Sequence, residues 1–205
     1  MEKTPTLRRT PKQARGERRI EAILQAAAQL FDELGYEATT TILIAQRAHT
    51  AVGSLYDFFP NKEAVARALV ESFTADFHAM FDQMITEDIA FLPYSEILDL
   101  LVDPLVLMIN VRPGFRALYL MAPQIGQLSE AHQGLERLFT ERIAMLLGMR
   151  YPNSATEPVH RAARIAVETV KAMTALAIAS GEIDEAVIAD LKLMLRLYLT
   201  QLFEG

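Results

Sequence analysis

The stretch from Thr39 to Lys62, TTTILIAQRAHTAVGSLYDFFPNK, constrains the fold of this chain more than any other. It reads as a short helix, a tight break, a second short helix and a stop. Thr39, Thr40 and Thr41 offer a hydroxyl N-cap ahead of Ile42. Ile44, Ala45 and Ala48 fall on one helical face, and Val52, Leu55 and Tyr56 belong to a second helix after the break at His49-Thr50-Ala51. Pro60 excludes Phe59 from the α region, so the second helix ends there. Two helices of about two turns each bury too little surface to stand alone. A third lies just upstream, where Ile20, Ile23, Leu24, Ala27, Leu30, Phe31 and Leu34 form an apolar stripe at helical spacing, closed by Gly35. Three helices with a break of ~3–4 residues between the last two form a helix-turn-helix arrangement, which places the final helix in a DNA major groove.

The remainder also follows the helical period. Val65, Leu69, Phe73, Phe77, Met80, Phe81 and Met84 predict a connector helix from Asn61 of roughly 25 residues, or ~37 Å. After a break over residues 87–94, helices are expected over 95–110 with Pro104 as a candidate kink, over 115–122 ended by Pro123, and over 129–150 closing near Gly148. An alanine-rich helix over 160–180, ended by Gly181, and a last helix over 183–203 complete the chain. No alternating strand pattern occurs, so the expected fold is all-α with about nine helices. A DNA-binding domain is expected at 1–60, with 1–14 as a flexible basic arm, and a ligand-binding and dimerisation domain at 61–205. The last helix is apolar on two faces, with Leu191, Met194, Leu195, Tyr198 and Leu202 on one and Val187, Leu193 and Leu197 on the other. Such a helix is buried twice. Ala166, Val170, Leu191, Leu195, Tyr198 and Leu202 are accordingly expected at a homodimer interface, where small alanines admit a close partner backbone.

Composition narrows the function classes. The 205 residues are 51% hydrophobic, enough for a packed core, and contain no cysteine and no tryptophan. Disulfide scaffolds, thiol chemistry and cysteine-ligated zinc are thereby excluded, and a cytoplasmic location fits. No long uncharged apolar run suggests a membrane span, and the basic N-terminus lacks the apolar run of a signal peptide. The net charge of −6 hides an asymmetry: residues 1–20 carry +5 and residues 63–205 carry −8. An acidic protein with a basic end binds a polyanion through that end. Arg15, Arg18 and Arg19 are read as preceding the first helix, where an arm reaches a neighbouring minor groove.

The segments RRIEAILQAAAQLFDELGYEATT, IAQRA and GSLYDFFPNKEAV resemble the tetracycline-repressor (TetR) family of bacterial transcription regulators. The resemblance covers about residues 18–66. It implies an all-helical homodimer that binds a double-stranded operator through its N-terminal domain and releases it when a small molecule binds the larger C-terminal domain. It also implies that Thr40, Thr50, Ala51, Val52, Ser54, Tyr56 and Lys62 face DNA, while Gly53 lets the backbone approach. Hydroxyls, helix-start N–H groups and lysine are phosphate ligands by their chemistry. The chain departs from the family pattern at His49, where glycine is usual, and at Thr50-Ala51, where the N-cap serine is missing. Ala51 cannot cap; Thr50 can, if the helix starts one residue early. Ile42 and Leu43 stand where polar residues are common. Ile42 makes no bidentate base contact, which leaves a thymine methyl or the DNA backbone as its partner.

For the effector, Phe77, His78, Phe81, Met108, Phe115, Arg116, Tyr119 and Met173 are the candidate contacts, with His78, Tyr119 or Arg116 as the polar group. Large adaptable apolar residues favour a hydrophobic or aromatic ligand. Glu157-x-x-His160 has half the spacing of a di-iron ligand set but no second copy, so no metal or cofactor is expected. Phosphate-loop, nucleophile-elbow and H-E-x-x-H motifs are absent. The alternatives from other classes are a helical-bundle enzyme or metalloprotein, and a helix-turn-helix protein with reduced DNA specificity.

Overall fold

The computed structural model describes residues 14–121, 129–179 and 182–205. The basic arm and the helix ends expected at Pro123 and Gly181 lie outside these residues. Ten helices and no strand are found among the described residues: α1 Ala14–Ala38, α2 Thr41–Arg47, α3 Val52–Tyr56, α4 Lys62–Met84, α5 Glu87–Ala90, α6 Tyr94–Val111, α7 Phe115–Met121, α8 Ser129–Arg150, α9 Thr156–Ala177 and α10 Glu185–Phe203. The all-α expectation holds. The single-turn helix α5 is the element the periodicity does not announce, because four residues are too few to show a period. α6 runs on through Pro104, and α8 through Gly148 to Arg150.

The chain divides into two compact units. One comprises residues 1–75 and 109–133, the other 76–108 and 134–205. Helices α4, α6 and α8 each contribute residues to both. In the first unit Ile23, Ala27, Phe31, Ile44, Leu55, Phe59 and Val65 are buried, so α1 to α4 share one core. Helix α7 joins that core through its first residue, Phe115, whose ring meets Phe73 edge-on at 5.2 Å. The turn before α7 needs glycine on two counts. Gly114 has φ +77, and a Cβ there would sit 2.9 Å from the Ala28 Cα of α1. The same α1 surface presents Asp32, whose carboxylate accepts from the Gly114 N–H and faces Arg116; burial still holds its pKa above the usual range.

The second unit is built on α9 and α10. Leu98, Val102, Ala166, Ala177, Ile188, Leu191 and Leu195 form one cluster, with Val170 and Met173 packed against it. Asp184 caps α10, accepting from the Ala186 and Val187 amides. Ion pairs brace the helices: Lys171 of α9 to Glu136 of α8 and to Glu168, and Lys192 of α10 to Asp99 and Asp103 of α6. Lys171 thus pairs with Glu168, as the i, i+3 spacing suggests, and also reaches across to a second helix. At the far end Arg150 donates to the Ala90 and Leu92 carbonyls and to Glu204, tying the end of α10 to α8 and the α5–α6 turn.

Gly114→Ala is expected to lower stability by about 2–5 kcal/mol, combining a strained left-handed backbone with overpacking against Ala28. A urea-unfolding midpoint unchanged from the parent protein would reject this account of the α1–α7 junction.

Candidate nucleic-acid interface

The three consecutive threonines that open the helix-turn-helix do three different things. Thr39, fully buried, shares its hydroxyl between the Leu30 and Gly35 carbonyls at 3.1 and 2.8 Å, satisfying the end of α1. Gly35, at φ 78 and ψ 166, breaks the helix at that point, which is the stop expected from sequence. Thr40 is the N-cap of α2 and accepts from the Leu43 amide at 3.2 Å. Thr41 bonds the Tyr56 hydroxyl at 3.0 Å, joining the first turn of α2 to the last turn of α3.

Between the helices, His49 carries the positive φ of the turn, at 49°. A side chain in this region is uncommon, and histidine accepts it better than most. The N-cap of α3 is Ala51 and makes no side-chain cap bond; the helix does not start early on Thr50. The Thr50 amide instead donates to the Ala45 carbonyl at 2.9 Å, which fixes Thr50 in the turn. Helix α3 is therefore held by its tertiary contacts. Leu55 and Phe59 are buried, while Ala51, Gly53 and Tyr56 face outward and Thr50, Val52 and Ser54 are half-buried.

Arginine and lysine placement differs from the sequence expectation. Arg15, Arg18 and Arg19 lie on the first two turns of α1, not ahead of it, with Arg15 and Arg18 exposed. No proline follows Pro11, and Ala14, Arg15, Glu17, Arg18 and Arg19 are good helix formers that carry the helix through Gly16 back to Ala14. Arg47 of α2 grips Glu33 of α1 with two bonds of 2.8 Å and holds its carboxyl below the usual range. Lys62 donates to the Tyr36 and Glu37 carbonyls at 2.6 and 3.2 Å and sits 4.2 Å above the Tyr36 ring. A lysine at a helix start opposes the macrodipole; here two carbonyls just beyond the Gly35 break compensate. Sequence reasoning gave Lys62 a DNA contact and missed this internal clamp, since the partner atoms are backbone and 25 residues away.

The expected effector residues are divided between the two units. Phe77 and Phe81 stack at 6.3 Å and meet Phe139 edge-on at 4.9 and 5.6 Å, an aromatic trio inside the second unit. His78 is exposed and lies 3.4 Å from Arg142, which pairs with Asp82. Met108 and Met173 are half-buried in the same unit. Phe115 and Arg116 belong to the first unit, and the Tyr119 side chain is outside the described residues. Of the expected dimer contacts, Ala166, Leu191 and Leu195 are buried inside their own chain, at 7%, 0% and 3% exposure. The apolar side chains left outward are Leu193, Met194, Leu197 and Leu202 on α10, with Ile165 and Leu176 on α9. Alternation around the helix is the reason: the Ile188-Leu191-Leu195-Leu199 stripe packs inward, so the neighbouring stripe is the free one. Glu157 spends its carboxylate on Arg161 at 2.6 and 2.8 Å. No group of three or more potential metal ligands occurs among the described residues, nor any helix long and apolar enough to cross a membrane.

Residues 23–69 match the family described as bacterial regulatory proteins, tetR family, and residues 93–199 match the tetracyclin repressor-like C-terminal domain. The A-factor receptor protein of Streptomyces griseus is 41% identical over 64 residues, which cover 31% of this chain and only 23% of that protein. The crystal structure of a TetR-family transcriptional regulator from Streptomyces coelicolor superposes with a TM-score of 0.66 at 28% identity, covering 90% of this chain and 99% of that one. The fatty acid degradation regulator FadR from Bacillus halodurans shares the fold, with a TM-score of 0.69 at 18% identity over 91% of this chain and 97% of that one. With both its helix-turn-helix and its C-terminal half so matched, the chain belongs to the tetracycline-repressor family of DNA-binding transcriptional regulators.

Proposed function

We propose that the protein is a ligand-responsive repressor that binds a palindromic operator as a homodimer and leaves it when a small hydrophobic effector binds. One observation supports the DNA surface above the others. Gly53 lies within α3, where glycine costs about 0.5–1 kcal/mol against alanine, yet nothing lies within 4 Å of the Cβ it lacks. The protein itself has no need of a glycine there. A phosphodiester brought against the α3 backbone does. Around Gly53, Thr50, Ser54 and Tyr56 supply hydroxyls, and the Thr41 bond aims the Tyr56 phenol. Arg15, Arg18 and Arg19 add a cationic edge from the start of α1. Two of the three ammonium hydrogens of Lys62 are taken by carbonyls, which leaves one for a phosphate.

Gly53→Ala is expected to move stability and binding in opposite directions: unfolding free energy rises by about 0.5–1 kcal/mol, while affinity for the DNA flanking the protein's own gene falls at least about fivefold. If stability rises and affinity is unchanged, α3 does not approach DNA through Gly53. Lys62→Ala is expected to cost about 1–3 kcal/mol of stability and to flatten the salt dependence of binding by about one unit of slope.

The dimer reading moves to the free stripe. Leu193, Met194 and Leu197 of α10 with Ile165 and Leu176 of α9 give an exposed apolar face of two adjacent helices, suited to a four-helix interface about a two-fold axis. Two recognition helices then meet successive major grooves about 34–36 Å apart. Leu197→Glu is expected to give folded monomers that no longer bind the operator, whereas Leu195→Glu buries an unpaired charge and unfolds the protomer. Sedimentation and circular dichroism separate the two; a dimeric Leu197→Glu protein would place the interface elsewhere.

The second unit holds the aromatic trio Phe77, Phe81 and Phe139 and the half-buried, adaptable Met108 and Met173, a composition that favours a hydrophobic or aromatic effector. The Streptomyces griseus relative is named a receptor protein, which agrees with ligand response. Release requires the effector to prefer the DNA-free state by about 1–3 kcal/mol. Thermal-shift screening should return apolar compounds that also dissociate the operator complex; stabilisation by highly charged metabolites alone would overturn this reading.

A further inference from the structure

One side chain beside α3 is spent on nothing the fold requires. Ile42, the second residue of α2, is 55% exposed. Its neighbours Ile44 and Ala45 take the inward face and are fully buried. Arg47, on the other flank of α2, is bound to Glu33 and Gln29, so α1 covers that flank and Ile42 points away from it. The Thr41–Tyr56 hydrogen bond then fixes where Ile42 stands: directly after the residue that joins α2 to the outward end of α3. It therefore belongs to the surface that α3 carries to the duplex. A branched aliphatic group gains nothing from a phosphate, which it desolvates without offering a hydrogen bond. Among the base edges in the major groove the apolar feature is the thymine C5-methyl.

We propose that Ile42 reads a thymine methyl in each operator half-site and so selects an A·T pair at that position. Selection comes from burial of one methyl against another, about fourfold in affinity per half-site at ~0.8 kcal/mol per buried carbon. Two half-sites give about fifteenfold. A cytosine at the same step presents an amino donor toward an aliphatic side chain and is disfavoured further. The inference rests on the reading of the chain as an operator-binding dimer.

The test uses the full-length protein, a duplex operator defined by footprinting, and fluorescence anisotropy at fixed salt. Each thymine is replaced singly by deoxyuridine, which removes only the methyl, with the symmetric position changed in parallel. One symmetric pair is expected to lower wild-type affinity about fifteenfold. Ile42→Ala is expected to lose a similar factor on the thymine operator and no more on the uracil operator. Its thermal unfolding should match the parent, because the position is exposed and alanine favours helix. A thymine-to-uracil loss that persists undiminished in Ile42→Ala, or an operator on which no uracil replacement interacts with that substitution, overturns the role of Ile42 while leaving DNA binding intact. Failure of the unmodified protein to form any specific complex overturns the underlying reading instead.

Discussion

The DNA-binding unit depends on a clamp that closes the helix-turn-helix on itself. Gly35 breaks α1 just before Tyr36 and Glu37. Lys62, the first residue of α4, donates to the carbonyls of both and lies over the Tyr36 ring. The two ends of the Thr39–Asn61 segment are thereby held together, and the short helices between them need not be stable alone. Helix α2 has seven residues and α3 five, far below the length at which an isolated helix persists in water. They are held by burial of Ile44, Leu55 and, just after α3, Phe59, and by bonds at their junctions: Arg47 to Glu33, and Thr41 to Tyr56. A cation at a helix N-terminus and a histidine with positive φ are each unfavourable locally, and both persist because this closure determines the backbone around them.

Glycines in the same unit show how a fold and a function leave different marks. Gly114 is demanded from within: its backbone is left-handed and Ala28 occupies the space of its missing side chain. Gly53 meets no such demand, since its surroundings are open. A residue that lowers helix stability and relieves no internal crowding points to a surface that must stay thin for something outside the chain. The exposed Ile42 obeys the same logic with the opposite sign, because an aliphatic group left in water gains only when a partner covers it.

The second unit follows a different principle, in which burial is settled by the phase of a helix. On α10 the stripe Ile188, Leu191, Leu195 and Leu199 packs into the core, and Leu193, Met194 and Leu197 are turned out. Lys192 sets that phase from the side, reaching Asp99 and Asp103 on α6. A leucine one or two positions away on such a helix moves from a position where charge unfolds the protomer to one where charge meets only water or a partner.

The fold class, the helix-turn-helix and its stop at Gly35 were legible in the sequence, because each rests on short-range chemistry: apolar spacing, capping hydroxyls, and residues that cannot continue a helix; α3 ends at Tyr56, earlier than Pro60 requires. The excess of apolar faces on α10 was legible for the same reason. Which face turns inward was not, since periodicity gives the angle between two stripes but not their orientation toward a neighbour. The roles of Thr39, Thr40 and Thr41 could not be divided among them from sequence either, because their partners are the Leu30 carbonyl, the Leu43 amide and the Tyr56 hydroxyl, at separations from 3 to 15 residues. Nor could the clamp at Lys62 or the docking of Gly114 against Ala28. Both use backbone atoms as partners, and a backbone atom has no letter in the sequence; only the tertiary path of the chain decides which ones meet.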